Sequence, residues 1–118
     1  MTEKITGARA VFNKALAARI KAGAFLAGGL YTFRQLPESE AIHFAPRAHQ
    51  PVLMVNGRND FGFPLETSQR PLLRLLGAPE KDKRHVVVED AGHVVPRQAF
   101  IKEILDWLDR YLGPVKTK

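Results

Sequence analysis

The apolar residues of this 118-residue chain change period several times along its length. Val11, Phe12, Ala15, Leu16 and Ile20 recur at helical spacing across residues 8–21, which predicts an amphipathic helix. Gly23 follows, then the short run Ala24, Phe25, Leu26 and Ala27 closed by Gly28 and Gly29. That pattern predicts a buried strand entering a sharp loop. Residues 30–50 keep no sustained period and contain Pro37 and Pro46. A loop this long in a compact domain is functional or hides a short element.

Behind Pro51 come four consecutive apolar residues, Val52, Leu53, Met54 and Val55. They predict a strand buried on both faces, as in a parallel sheet. Turn chemistry follows at once in Asn56-Gly57-Arg58-Asn59-Asp60. Residues 65–76 cluster Leu72, Leu73, Leu75 and Leu76 ahead of Gly77. This predicts a helix with Gly77 as its C-cap and Pro71 in its first turn. The β-branched run of residues 84–88 predicts a strand. Phe100, Ile101, Ile104, Leu105, Leu108, Tyr111 and Leu112 mark one face of a final helix stopped by Gly113 and Pro114. Trp107 is expected at its boundary.

The order is helix, strand, long loop, strand, helix, strand, helix. Strands alternating with helices predict an α/β fold class with a parallel sheet. The expected architecture is a single domain over residues 1–118, with strands near 23–27, 52–56 and 84–89 and a last helix near 98–112. Three strands make a small sheet. One edge, near residues 24–27, is expected to be open, and an open edge pairs with another chain unless protected. A homodimer or a partner protein is therefore expected to cover it.

Composition narrows the picture. The chain has no cysteine, which excludes disulfides and thiolate metal sites. It shows neither a bilayer-spanning apolar run nor a signal-peptide core, so no membrane partner and a cytoplasmic location are expected. Lys and Arg outnumber Asp and Glu by 18 to 12, a formal charge of +6. The basic residues are scattered, with no basic helix or RNA-binding aromatic signature, so no nucleic-acid partner is expected. His43, His49 and His85 show no metal-ligand spacing, and no metal or other cofactor is implied.

In open α/β sheets, ligands and catalytic residues gather at the carboxyl ends of the strands. Asp60 follows the second predicted strand and His93 the third. One helix separates those strands, so their loops are expected on the same sheet edge. An aspartate there can accept a hydrogen bond from one imidazole nitrogen, leaving the other as a general base for a hydroxyl. Gly92, just before His93, would allow a tight turn. Taken singly, Asp60 reads better as a turn former and His93 as a surface-loop residue; their order and spacing together bring the catalytic reading level with those.

The residues Pro51 to Asp60, followed by Phe63-Pro64, resemble the acid-bearing strand and loop of serine hydrolases of the α/β-hydrolase superfamily. Glu89-Asp90-Ala91-Gly92-His93, followed by Val94-Val95-Pro96, resembles their histidine loop, and residues 18–29 resemble the strand before the acid strand. The similarity runs over residues 8–115 and is nearest to dienelactone hydrolases, acetyl-esterases and prolyl-oligopeptidase-like domains. It implies the C-terminal half of such a fold, an esterase or peptidase type acting on ester or amide bonds, with Asp60 and His93 as catalytic acid and histidine and a small ester-type substrate if the fold is completed. Those enzymes also need a serine in a Gly-x-Ser-x-Gly elbow upstream of the acid. Here only Ser39 and Ser68 occur, neither in an elbow, and Lys4-Ile5-Thr6-Gly7 stands where the elbow would fall. The chain is thus expected to be weak or inactive alone. The alternative is a non-enzymatic, truncated hydrolase-fold module for binding or oligomerisation.

Overall fold

The computed structural model describes residues 19–116. The predicted first helix, and Thr6 with its neighbours, lie outside them. Three strands form one parallel sheet in the order β1 (Gly23–Leu26), β2 (Val52–Gly57), β3 (Lys83–Val88). Val52 stands level with Gly23 on one side and Lys83 on the other, so the three strands end close together.

The central strand shows why the sheet is parallel and doubly covered. All six residues of β2 are buried. Val52 and Met54 point to one face, where they pack with Phe25, Ala45, Ala48, Leu72 and Leu76. Leu53 and Val55 point to the other, against Val95 and Trp107 with Val86, Val88, Phe100, Ile104 and Tyr111 beside them. Strand side chains alternate between faces, so a continuous apolar run needs cover on both. The first face is covered by helix α1 (Arg70–Leu75) and by a short 3-10 turn, Ala45–Arg47, which follows another at Ala41–His43. The second is covered by α2 (Arg97–Leu112). No helix among the described residues is long and apolar enough to cross a membrane.

The segment of residues 30–50 does hold short elements, as its length allowed: of its two 3-10 turns, the second buries Ala45, and Ala48 just after it, under β2. Several expectations need correction. The helix expected over residues 65–76 is split. A wide π turn, Leu65–Gln69, precedes α1, and Pro71 sits in the first turn of α1, where its missing N–H costs nothing. Gly77 is not the cap. Leu76 ends α1 in an extended conformation, and Lys83 Nζ donates to the carbonyls of Leu73 and Leu76 at 3.0 and 3.1 Å. A cation at the helix C-terminus satisfies its orphan carbonyls. Gly77 is needed instead for a close approach, because a Cβ there would collide with the Pro46 carbonyl and the His49 ring.

The apolar face of α2 is also displaced. Trp107 is no boundary residue: it is a core side chain, 4% exposed, while Ile101, Leu105 and Leu112 are turned outward. The inward stripe is Phe100, Ile104, Trp107 and Tyr111, a spacing of four, three and four that holds one helical face. At the other end of the sheet, β1 is an edge strand among the described residues, and Leu26 is exposed.

Candidate functional site

The loops following β2 and β3 meet because the two strands are neighbours and run the same way. They touch through backbone. Arg58 N–H donates to Val88 O and Asn59 N–H to Ala91 O, each at 3.0 Å. Such contact demands that one chain carry no side chain at the crossing. Gly57, the last residue of β2, meets that demand: a Cβ there would collide with the carbonyl oxygens of Ala91 and Gly92. The glycine requirement therefore falls on Gly57, not on Gly92, where a Cβ would meet nothing nearer than Asn59 O at 3.9 Å. Gly92 is also not among the positive-φ residues.

Asp60 is held rigidly by its own loop. Its Oδ1 accepts from the backbone N–H groups of Gly62 at 2.8 Å and Phe63 at 3.0 Å. This is a local side-chain turn of the kind aspartate favours. The side chain is fully buried. Burial alone would raise its pKa. The hydrogen bonds from Phe63, His93 and Gly62 and the nearby His93 charge outweigh that, and the carboxyl lies below its ordinary value of 3.8. Asp60 is therefore ionised at neutral pH.

A buried glutamine braces the same loop. Gln69 donates from Nε2 to Gly57 O at 3.0 Å and to Phe63 O at 2.7 Å, bridging the two ends of the turn around Asp60. The π turn places it there, one residue before α1. Sequence reasoning missed both Gln69 and the role of Gly57. Nothing in the local pattern around Gln69 marks it, since its partners lie six and twelve residues away.

His93 completes the arrangement. Its Nδ1 lies 2.9 Å from Asp60 Oδ2. A buried carboxylate only accepts, so Nδ1 carries the proton in this contact. The ring packs on Phe63 with centroids 6.0 Å apart and planes 28° apart. Its side chain is 61% exposed, and Nε2 makes no hydrogen bond to any described residue. The structure thus brings together the two residues singled out in the sequence, one locked and buried, the other oriented by it and open to solvent.

The serines stand elsewhere. Ser68 is buried and donates to Leu30 O at 2.5 Å. Ser39 is on the surface and donates to Leu36 O at 3.1 Å. Both hydroxyls are engaged with backbone carbonyls. Among the described residues no group of three or more His, Asp or Glu side chains is gathered to hold a metal ion.

A second polar network lies beneath the site. Asn56, fully buried in β2, donates to Gly28 O at 2.8 Å, and its Oδ1 accepts from His85 Nε2 at 3.0 Å. Burial, and then the Arg70 charge, hold the His85 pKa below 6.5. Native His85 resists a proton that the unfolded chain accepts, so stability is complete above pH 6.5 and falls as pH drops below it, levelling off at the native pKa. His85→Gln should shrink the difference between urea midpoints measured above and below pH 6.5. An unchanged difference would show that His85 titrates normally.

No protein-family model and no curated protein matches the chain. Two solved structures resemble it. One is a zinc-bound, cold-adapted esterase from an Arctic intertidal metagenomic library: TM-score 0.62, 24% identity, 88% of this chain and 42% of that one. The other is TT1662 from Thermus thermophilus: TM-score 0.58, 19% identity, 80% of this chain and 44% of that one. The chain spans less than half the length of either. At such identities the likeness is one of fold: the chain has a partial α/β architecture of three parallel strands with helices on both faces.

Proposed function

We propose that this chain carries the acid and general-base half of a serine-hydrolase-type site acting on ester bonds. The observation that supports it most is the Asp60–His93 contact of 2.9 Å, with a buried acid and an imidazole whose far side is open. Asp60 fixes the tautomer with the proton on Nδ1, which leaves the Nε2 lone pair free. Nε2 removes the proton from an attacking hydroxyl, and the paired carboxylate stabilises the imidazolium that results. The same nitrogen then returns the proton to the departing alcohol.

The attacking hydroxyl is not found among the described residues. The hydroxyls of Ser39 and Ser68 donate to backbone carbonyls, and neither lies in a nucleophile elbow. In this reading the nucleophile and most of the oxyanion hole come from sequence beyond these 118 residues. Coding sequence upstream that reads, in frame, a strand and Gly-x-Ser-x-Gly would supply the nucleophile and one oxyanion-hole N–H, the other coming from an earlier loop.

The 118-residue chain alone should hydrolyse a p-nitrophenyl ester at little more than the solution background, because base and orienter without nucleophile leave only weak residual catalysis. It should also show a downfield imidazole N–H proton resonance that disappears in Asp60→Ala. Robust turnover abolished by His93→Ala, with a fluorophosphonate label on Ser39, Ser68 or Thr6, would mean the nucleophile lies inside the chain. Absence of the Asp60-dependent resonance would remove the base reading.

A further inference from the structure

We propose that Tyr31, Phe33 and Phe63 form the wall that receives an aromatic ring of the ester substrate, placing aryl esters as the substrate class of this site. The proposal rests on Asp60 and His93 being the hydrolytic pair.

Four rings run in an unbroken row ending at the base. Phe33 and Tyr31 have centroids 5.2 Å apart, Tyr31 and Phe63 5.5 Å, and Phe63 and His93 6.0 Å. The row is open: Tyr31 is 55% exposed and Phe33 63%. Phe61, on the acid loop itself, is 98% exposed. These three are the exposed aromatic side chains among the described residues; the other large exposed apolar residues are aliphatic. Every one of them stands on the loop after β1 or on the acid loop, which meet where Tyr31 contacts Phe63. Exposed apolar area concentrated at one place marks a binding surface.

The wall is built rather than loosely draped. Ala27 takes φ 58°, a left-handed conformation that costs a residue with a Cβ about 1 kcal/mol, and so turns the chain out of β1. Leu30 is then tied down from both sides, its N–H donating to Ser68 O at 3.3 Å and its carbonyl accepting from the buried Ser68 hydroxyl at 2.5 Å. Gly29 leaves the space for this, since a Cβ there would press on Ser68 Oγ and the Phe63 ring. Tyr31 follows directly and meets Phe63. The otherwise unexplained burial of Ser68 thereby acquires a purpose: it positions the loop that carries the rings.

The geometry favours an aromatic occupant over an aliphatic one. The rings meet at 40° and 52° and present both faces and edges. A further ring gains quadrupole attraction from such a surface beyond its area burial, which a saturated ring of equal size does not. The row ends at the His93 imidazole, so a ring seated on it is held next to the base.

The test uses two unreactive ketones of matched shape, acetophenone and cyclohexyl methyl ketone, titrated into the full chain and followed by side-chain NMR. Acetophenone should shift the Tyr31, Phe33, Phe63 and His93 ring signals saturably and bind roughly 3- to 10-fold more tightly than the saturated ketone. The exposed pair Tyr31→Leu and Phe33→Leu together keep apolar volume and should abolish that preference without unfolding the protein. Equal affinity for the two ketones, or a preference that survives the double substitution, overturns the aromatic wall and leaves the base reading standing. A preference in a protein that lacks the Asp60-dependent N–H resonance overturns the hydrolytic reading and the ester assignment with it, while the ring-binding wall stands.

Discussion

Gly57→Ala should destabilise the protein by about 3 kcal/mol, the upper range for overpacking a close-packed interior. The added methyl meets backbone: the carbonyl oxygens of Ala91 and Gly92, which belong to the histidine loop. Backbone atoms cannot rotate aside as a flexible side chain would. The loop has to retreat, taking His93 away from Asp60 and weakening the hydrogen bonds from Arg58 to Val88 and from Asn59 to Ala91. Urea unfolding should show the loss, and the downfield imidazole N–H resonance should vanish. Gly92→Ala is the matched control. A Cβ there finds only Asn59 O at 3.9 Å, so it should cost less than about 0.5 kcal/mol. Equal effects of the two substitutions would show that the loops are not in contact at Gly57.

Asp60→Ala should cost about 3 kcal/mol at neutral pH, because the backbone N–H groups of Gly62 and Phe63 both lose a charged acceptor inside the loop. The pH dependence identifies the cause. The native carboxyl titrates below 3.8, its ordinary value, so the unfolded chain binds a proton more readily than the native one. The stabilisation is therefore complete above 3.8 and is lost as pH falls through the lower native value. The gap between wild type and Asp60→Ala should be constant near neutrality and close in acid. A gap that persists unchanged in acid would assign the loss to packing rather than to the charge.

The two loops also show how differently the chain's features register in its sequence. Residues 52–55 could be read directly, because β2 is buried on both faces and four apolar residues in a row have no other economical reading in an α/β pattern. The final helix was legible in extent but not in orientation. Its seven apolar positions span more than one face, and only packing against Val55 and Val88 selects Phe100, Ile104, Trp107 and Tyr111 over Ile101, Leu105 and Leu112. The split of the second helix into a π turn and α1 was invisible, since the wide turn is held by contacts made elsewhere: Ser68 to Leu30, Gln69 to Gly57 and Phe63.

Local periodicity and strand order thus determined the α/β class, the parallel sheet and the edge on which Asp60 and His93 lie, because those follow from repeat spacing within a few residues and from short-range connection rules. Whether the two side chains touch was decided only in the folded molecule. Their contact joins residues 33 apart and depends on Gly57 letting two backbones meet, on Gln69 bracing the acid loop and on Phe63 supporting the imidazole. Each of these is a contact between positions distant in sequence. Such contacts leave no period to read, because close packing is a property of the assembled surfaces and not of any one segment.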